Sequence, residues 1–317
     1  MNGSISQSNP PNIRLKGAIY LRALRFRSWI GWLFIFGVGS TLFALPTYNT
    51  FPISISFSSI TAAIFVVNQY FDRKSDTLNP QKKNLPIASG ELSIKSACLL
   101  FVSLLTFGLF VTATVDFSLI SLFLPYFALW IAYSIPPFNL KKRPVLDLFV
   151  AGVGSGILPF LIGLQVSHQL TMDFSLPWMG SKYQGVCLCV VPIFLFQVSS
   201  HIFQAIGDYE ADKEDGINTF VVKYGRERSA KIGALLFFIS FILPIIYGLF
   251  NLYLIEFVYW YLLLFLIFSP FIIYLLNLFR NPIKENINLL LRISNRITPF
   301  LLASLYVCII LLRNLLI

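Results

Sequence analysis

Two stretches of the chain end an apolar run with carboxylates at a helical repeat. In the first, Val66-Val-Asn-Gln-Tyr-Phe-Asp-Arg-Lys-Ser-Asp76, the residues Asp72 and Asp76 stand four apart. In the second, His201-Ile-Phe-Gln-Ala-Ile-Gly-Asp-Tyr-Glu-Ala-Asp212, Asp208 and Asp212 repeat that spacing. Like charges at i, i+4 repel one another on a helix face, and carboxylates at a helix C-terminus also meet the negative end of the backbone dipole. Each stretch therefore expects a cation from elsewhere. Hard oxygen donors on semi-rigid helix ends suit Mg²⁺, which keeps several waters and takes the rest of its shell from substrate phosphates. A diphosphate is the substrate chemistry such a site would accept.

Acid is scarce outside these stretches. Of 14 acidic residues, seven are Asp72, Asp76, Asp208, Glu210, Asp212, Glu214 and Asp215. Asn68 lies one turn before Asp72, while Gln204 and His201 lie one and two turns before Asp208, so each acidic pair continues as a polar stripe along its helix. Asn68, Asp72, Asp76, His201, Asp208 and Asp212 are the candidate catalytic residues, and the four aspartates among them are the candidate metal ligands. A third stretch, Tyr133-Ser-Ile-Pro-Pro-Phe-Asn-Leu-Lys-Lys-Arg-Pro144, ends its apolar run at two prolines and then presents Lys141, Lys142 and Arg143. Consecutive cations of this kind can fold over a bound anion. Arg25, Arg73, Lys74, Tyr133 and Gln204 join them as candidate substrate contacts. For the cations, charge that merely sets membrane topology is the competing reading.

The elements that position these residues must lie in a membrane. The chain is 56% hydrophobic and 12% charged, with a mean hydropathy of +0.75, a composition that describes an all-α polytopic membrane protein. Windows of ~20 mostly apolar residues fall at 26–45, 53–72, 94–112, 117–135, 146–166, 186–206, 231–250, 254–277 and 297–316, which gives nine expected transmembrane helices. Basic residues cluster in alternate connections, and 22 of the 24 fall on the same side. By the positive-inside rule that side is cytoplasmic, with the N-terminus inside and the C-terminus outside. The net charge of +10 thus reports topology and gives no reason to expect nucleic acid as a partner. Spans 2 and 6 run in the same direction, so both acidic pairs emerge on the cytoplasmic face. The polar, proline-containing residues 1–23 read as a cytoplasmic tail that lacks the pattern of a cleaved signal peptide. Residues 24–317 read as one domain. Cys98, Cys187, Cys189 and Cys308 all sit in apolar spans, where small apolar fillers are expected rather than a disulfide framework.

Taken together, these residues resemble the UbiA superfamily of intramembrane prenyltransferases. Asn68-x-x-x-Asp72-x-x-x-Asp76 is similar to the first Asp-rich motif of that family, Asp208-x-x-x-Asp212 to the second, and Tyr133-Ser-Ile-Pro-Pro-Phe-Asn-Leu-Lys to a loop found in several branches. The resemblance implies nine helices around a central cavity capped by cytoplasmic loops, with Mg²⁺ bridging the aspartates and a prenyl diphosphate. It implies transfer of the prenyl group to a lipophilic acceptor within the bilayer. The second motif and Arg143-Pro-Val-Leu-Asp147 resemble the branch that elongates carotenoids such as lycopene. Asn68-Gln-Tyr-Phe-Asp-Arg73 and Leu85-Pro-Ile-Ala-Ser-Gly-Glu-Leu-Ser93 resemble the chlorophyll-synthase and archaeal ether-lipid branches. A quinone or other aromatic precursor also stays open as acceptor. Two other functions compete: a terpene cyclase on the same scaffold, which would quench the cation internally, and a cation transporter. A transporter would be expected to keep its ionisable groups near the midplane, whereas these acids gather at one face.

Overall fold

A computed structural model describes residues 13–41, 46–80, 82–167 and 179–249. Every expected span within these residues is helical, and no strand occurs among them. The helices are α1 (Ile13–Ala23), α2 (Phe26–Thr41), α3 (Thr50–Leu78), α4 (Ile94–Val115), α5 (Ile120–Ser134), α6 (Leu146–Gly152), α7 (Leu158–Val166), α8 (Met179–Glu214), α9 (Phe220–Tyr224) and α10 (Arg226–Leu249). A π-helical turn, Val153–Ile157, joins α6 to α7 so that they continue as one 21-residue span. Six helical segments among the described residues are long and apolar enough to cross a membrane. The expected first span corresponds to α2, which is 16 residues long as described. The expected spans at 254–277 and 297–316 lie outside the described residues.

The packing follows the rules of a solvent that gives helices no hydrophobic reason to associate, so close backbone approach and buried polar bonds take over. Gly39 on α2 and Gly163 on α7 face each other's helices. A Cβ on Gly39 would lie 2.2 Å from the carbonyl oxygen of Phe160, and one on Gly163 would lie 2.1 Å from that of Phe36. Between α3 and α4, the Ser56 hydroxyl donates to the Gly108 carbonyl at 2.6 Å, and its oxygen lies 2.6 Å from that of Thr112. The α2, α3, α5 and α7 helices enclose a core of Phe36, Phe57, Ile60, Phe123, Tyr126 and Ile162. A second core of Val198, Ile202, Phe203, Ala234, Phe237 and Phe241 joins α8 to α10.

The connections at the acidic end are tied down by polar bonds. Arg22 at the end of α1 forks onto Glu91 at 2.8 and 3.1 Å and donates to the Asn84 carbonyl at 2.6 Å, fastening α1 to the α3–α4 connection. The Ser93 hydroxyl oxygen caps α4 by accepting from the Ser96 N–H at 3.1 Å, and that of Thr219 caps α9 by accepting from the Val222 N–H at 3.3 Å. Gly207 leaves α8 unbroken as it runs into the second acidic stretch. Cys98 is exposed and Cys189 is buried.

Candidate active site

The two acidic stretches end α3 and α8, and the structure joins them through the residues that follow the first. As α3 closes, the Asn79 side chain donates to Asp208 Oδ1 at 2.9 Å, and Lys82 Nζ lies 2.7 Å from Asp208 Oδ2. Asp72 is held from another direction by an ion pair with Lys141, and it accepts from Asn68 Nδ2 at 2.9 Å. Asn68 Nδ2 also donates to the Ser134 hydroxyl at 3.2 Å, which ties α3 to α5 just below the carboxylates. Asp76 is buried at 5% exposure, within electrostatic reach of Lys82, Arg25 and Asp208. Asp212 feels Asp208, Lys82 and Lys141. The cations that the like-charge pairs called for are thus lysines and an arginine from three connecting segments.

Arg25 sits in the break between α1 and α2 with a φ of 50°, the left-handed region that non-glycine residues seldom adopt. From there its guanidinium stands over the Phe65 ring at 5.4 Å and within reach of Asp76 and Asp208. Burial lowers the Arg25 pKa, while those two carboxylates raise it. Burial also pushes Lys141 down to about 8, opposed by Asp212 and Asp215. Both are partly desolvated cations aimed at acid, a state suited to gripping an anion.

His201 lies below this charged layer, its ring edge-on to Tyr133 at 6.2 Å. Asp147, fully buried, faces it electrostatically. The Asp147 carboxylate accepts from the Leu148 N–H at 2.8 Å and from the Phe220 N–H at 3.1 Å, so it links the start of α6 to the start of α9.

Of the residues expected from sequence, Asn68, Asp72, Asp76, Asp208, Asp212, Arg25, Lys141, Tyr133 and His201 come together. Others do not join them. Arg73 turns back onto its own helix, donating to the Tyr70 carbonyl at 2.7 Å with its charge over the Tyr70 ring. Lys74, Lys142 and Arg143 are exposed. Gln204 is exposed as well and makes a long 3.5 Å bond to Ser200 instead of extending the stripe below Asp208. Sequence reasoning missed Asn79, Lys82, Ser134 and Asp147. Lys82 is one of the 22 basic residues whose clustering reads as topology, though its place six residues after Asp76 is a signal. Asp147 could have been noticed as a lone carboxylate entering an apolar span.

Among the described residues no three His, Cys, Asp or Glu side chains come close enough together to form an all-protein metal cage. The donor chemistry nevertheless fits Mg²⁺. That ion is usually bound through one or two carboxylates, with waters and substrate phosphates completing its shell, and the site offers paired hard oxygens on two facing helix ends.

Comparison with known proteins gives this arrangement its family. The model of the UbiA prenyltransferase family matches residues 28–295. The chain belongs to that family. It is 29% identical over 181 residues to a probable homogentisate phytyltransferase 2 of Oryza sativa, a match covering 56% of this chain and 46% of that protein. It is 25% identical over 224 residues to protoheme IX farnesyltransferase 1 of Picrophilus torridus, covering 69% of this chain and 68% of that one. The chain thus spans about half the length of the first of the curated relatives it matches. Its fold is that of a UbiA homologue from Archaeoglobus fulgidus solved with GPP and Mg²⁺, at a TM-score of 0.64 and 23% identity, covering 92% of this chain and 99% of that one. With this family and its long apolar helices, the protein is an integral membrane protein.

Proposed function

We propose that residues 24–317 act as one intramembrane domain that transfers a prenyl group from a prenyl diphosphate to a lipophilic acceptor, with Mg²⁺ as cofactor. The observation that carries this reading is the meeting of two acidic helix ends through Asn79 and Lys82 on Asp208. That junction gives one anion two walls of carboxylate and a set of cations from separate loops. Asp72, Asp76, Asp208 and Asp212 would hold Mg²⁺ through their carboxylate oxygens. When bound, the metal supplies positive charge to the departing diphosphate.

The chain's own groups divide the remaining work. Lys82, Lys141 and Arg25 present donors fixed in place before the reaction, where they stabilise negative charge as it develops on the leaving group. Asn68, bonded to both Asp72 and Ser134, fixes the carboxylate below which the allylic carbon would lie. His201 is one to two turns deeper and has Asp147 beside it. It is placed to accept the proton released when a hydroxyl or ring carbon of the acceptor is alkylated. The Tyr133 ring, 6.2 Å from that of His201, offers an aromatic surface to a cation forming nearby. In this orientation the acidic ends and the N-terminus face the cytoplasm, following the clustering of basic residues.

The test is incubation of the purified protein with Mg²⁺, a mixture of allylic diphosphates and a membrane lipid extract, followed by mass spectrometry of the apolar products. A prenyl mass increment on a lipid, carotenoid or quinone precursor supports the reading and names the acceptor. A cyclised hydrocarbon with no acceptor adduct would replace it with the cyclase, and unchanged substrates would reject both.

A further inference from the structure

Below the carboxylates, the side chains of α2, α3 and α5 fall into layers. Asn68 and Ser134, bonded at 3.2 Å, form the first layer, one turn beneath Asp72. One turn deeper, Trp32 lies 5.3 Å from the Phe65 ring and stacks on Trp130 at 4.6 Å, with 14° between the planes. Phe65 is seven residues from Asp72, so at ~1.5 Å per residue this layer is ~10 Å below the carboxylate. Deeper still the space between these helices is filled. Phe36, Phe57, Phe123 and Tyr126 are at most 1% exposed, and the Tyr126 and Thr61 hydroxyls are 2.7 Å apart. Trp130 is also supported from behind, since a Cβ on Gly154 of the π-helical turn would fall 2.8 Å from its Nε1. That edge of the indole packs against the Gly154 backbone.

We propose that the Trp32–Trp130 stack is the floor of the prenyl pocket and restricts the substrate to a short allylic diphosphate of geranyl size. The inference rests on the transferase reading, because it places the diphosphate at the aspartates. Three bonds of extended chain span at most ~3.6 Å, so the four in-line bonds of an isoprene unit span about 5 Å, and ~10 Å of depth accommodates about two units. A geranylgeranyl tail, with four units, needs ~20 Å, about twice that depth, and would run into the two indoles.

The experiment measures binding, which removes any dependence on the acceptor. Thiolodiphosphate analogues of geranyl, farnesyl and geranylgeranyl diphosphate are titrated calorimetrically into the purified full chain with Mg²⁺. Geranyl is expected to bind tightest and geranylgeranyl about tenfold or more weaker, since a misfit of even one methylene in an apolar pocket is worth about 10–200-fold. Trp130→Leu should raise the affinity for the geranylgeranyl analogue relative to geranyl by about tenfold. Trp32→Leu, at the more accessible ring of the pair, should act in the same direction and serves if the first variant does not fold. Equal affinity for all three tails in the wild-type chain, or an unchanged order in a folded variant, overturns the floor and leaves the diphosphate site standing. Failure of all three analogues to bind the wild-type chain overturns the transferase reading and the floor with it.

Discussion

Lys141, Lys142 and Arg143 are consecutive in sequence and unequal in structure, so replacing each with Gln separates charge that binds from charge that sets topology. The Lys141 side chain is 10% exposed and paired with Asp72, while its two neighbours face outward. Burial pushes the Lys141 pKa from 10.5 down to about 8 despite the carboxylates of Asp212 and Asp215. At about 1.36 kcal/mol per tenfold change in proton affinity, keeping that ammonium charged costs on the order of 3 kcal/mol. Lys141→Gln removes this cost and also loses the pair with Asp72, which retains its bond from Asn68. The two effects oppose each other, so the melting temperature should move little. Binding should not be spared, because a lost charged hydrogen bond costs about 1.5–3 kcal/mol, which weakens a diphosphate about 10–150-fold. Lys142→Gln and Arg143→Gln remove exposed charges worth about 0–1 kcal/mol each. Equilibrium binding of a diphosphate analogue and thermal denaturation, measured on the same preparations, give both quantities. A Lys142→Gln loss as large as that of Lys141→Gln, or undiminished binding in Lys141→Gln, would refute the division.

The remaining predictions follow from the same contacts. Between pH 8 and 10.5 the unfolded chain holds more protons at Lys141 than the folded chain does, so stability should rise with pH across that window. Over the same range diphosphate affinity should fall as Lys141 loses its charge, and flat profiles in denaturation and titration would contradict both slopes. Asp72→Asn or Asp208→Asn should abolish turnover, as should excess chelator, and full activity in any of these would sink the metal assignment. Relief of repulsion within each acidic pair suggests that such variants become more stable. The Lys141–Asp72 and Lys82–Asp208 pairs reverse that expectation: Asp72→Asn leaves a buried ammonium without its counter-charge and should lower stability by about 3–5 kcal/mol in thermal denaturation, while Asp208→Asn, at the more exposed pair, should lower it by about 1 kcal/mol or less. His201→Ala should leave diphosphate release running while prenylated product falls or is diverted to prenyl alcohol. Equal loss of the two would assign His201 to diphosphate binding instead.

Much of this was legible in the sequence because the membrane makes acid conspicuous. Asp72, Asp76, Asp208 and Asp212 stood out against long apolar runs, and their i, i+4 spacing alone placed each pair on one helix face. The apolar windows located α4 and α5 to within a few residues, because a helix is the one open-ended structure that satisfies its own backbone in lipid, whereas α3, α8 and α10 run about five to eight residues past theirs, into polar sequence that hydropathy does not count. Cations were harder to assign, because positive-inside charge and substrate-binding charge are chemically identical. Lys141 and Lys142 differ only in which way a short 3-10 turn directs them, and Asn139 sets that turn with a φ of 40°. Arg73 looked well placed beside Asp72, yet adjacent helical residues point about 100° apart, and the Tyr70 ring offered a nearer partner. Gln204 failed for a different reason: it shares the register of Asp208, but only burial could show that its amide is exposed.

Lys82 and Lys141 also explain how four carboxylates can be kept together where apolar surroundings raise the cost of every charge. Each ammonium has three donors and no acceptor. One donor suffices for the contact to Asp208 or to Asp72, which leaves others free to turn toward a phosphate oxygen without breaking the pair. On the proposed reading the lysines would therefore neutralise acid and grip the anion at once. The tethers of the two lysines differ. Lys82 is carried by the connection that Arg22 fastens through Asn84 and Glu91. Lys141 precedes α6, whose Asp147 is anchored to the Phe220 N–H. On that reading a residue such as Asp147, which touches neither acidic pair, would act on the diphosphate through the loop it anchors. Asp147→Asn keeps the shape but leaves one acceptor oxygen for the Leu148 and Phe220 N–H groups, so one of the two bonds is lost to a donor facing a donor. It should raise the Michaelis constant for the diphosphate, with Lys141 misplaced, more than Lys142→Gln does. An unchanged constant in a folded Asp147→Asn protein would confine Asp147 to its electrostatic influence on His201.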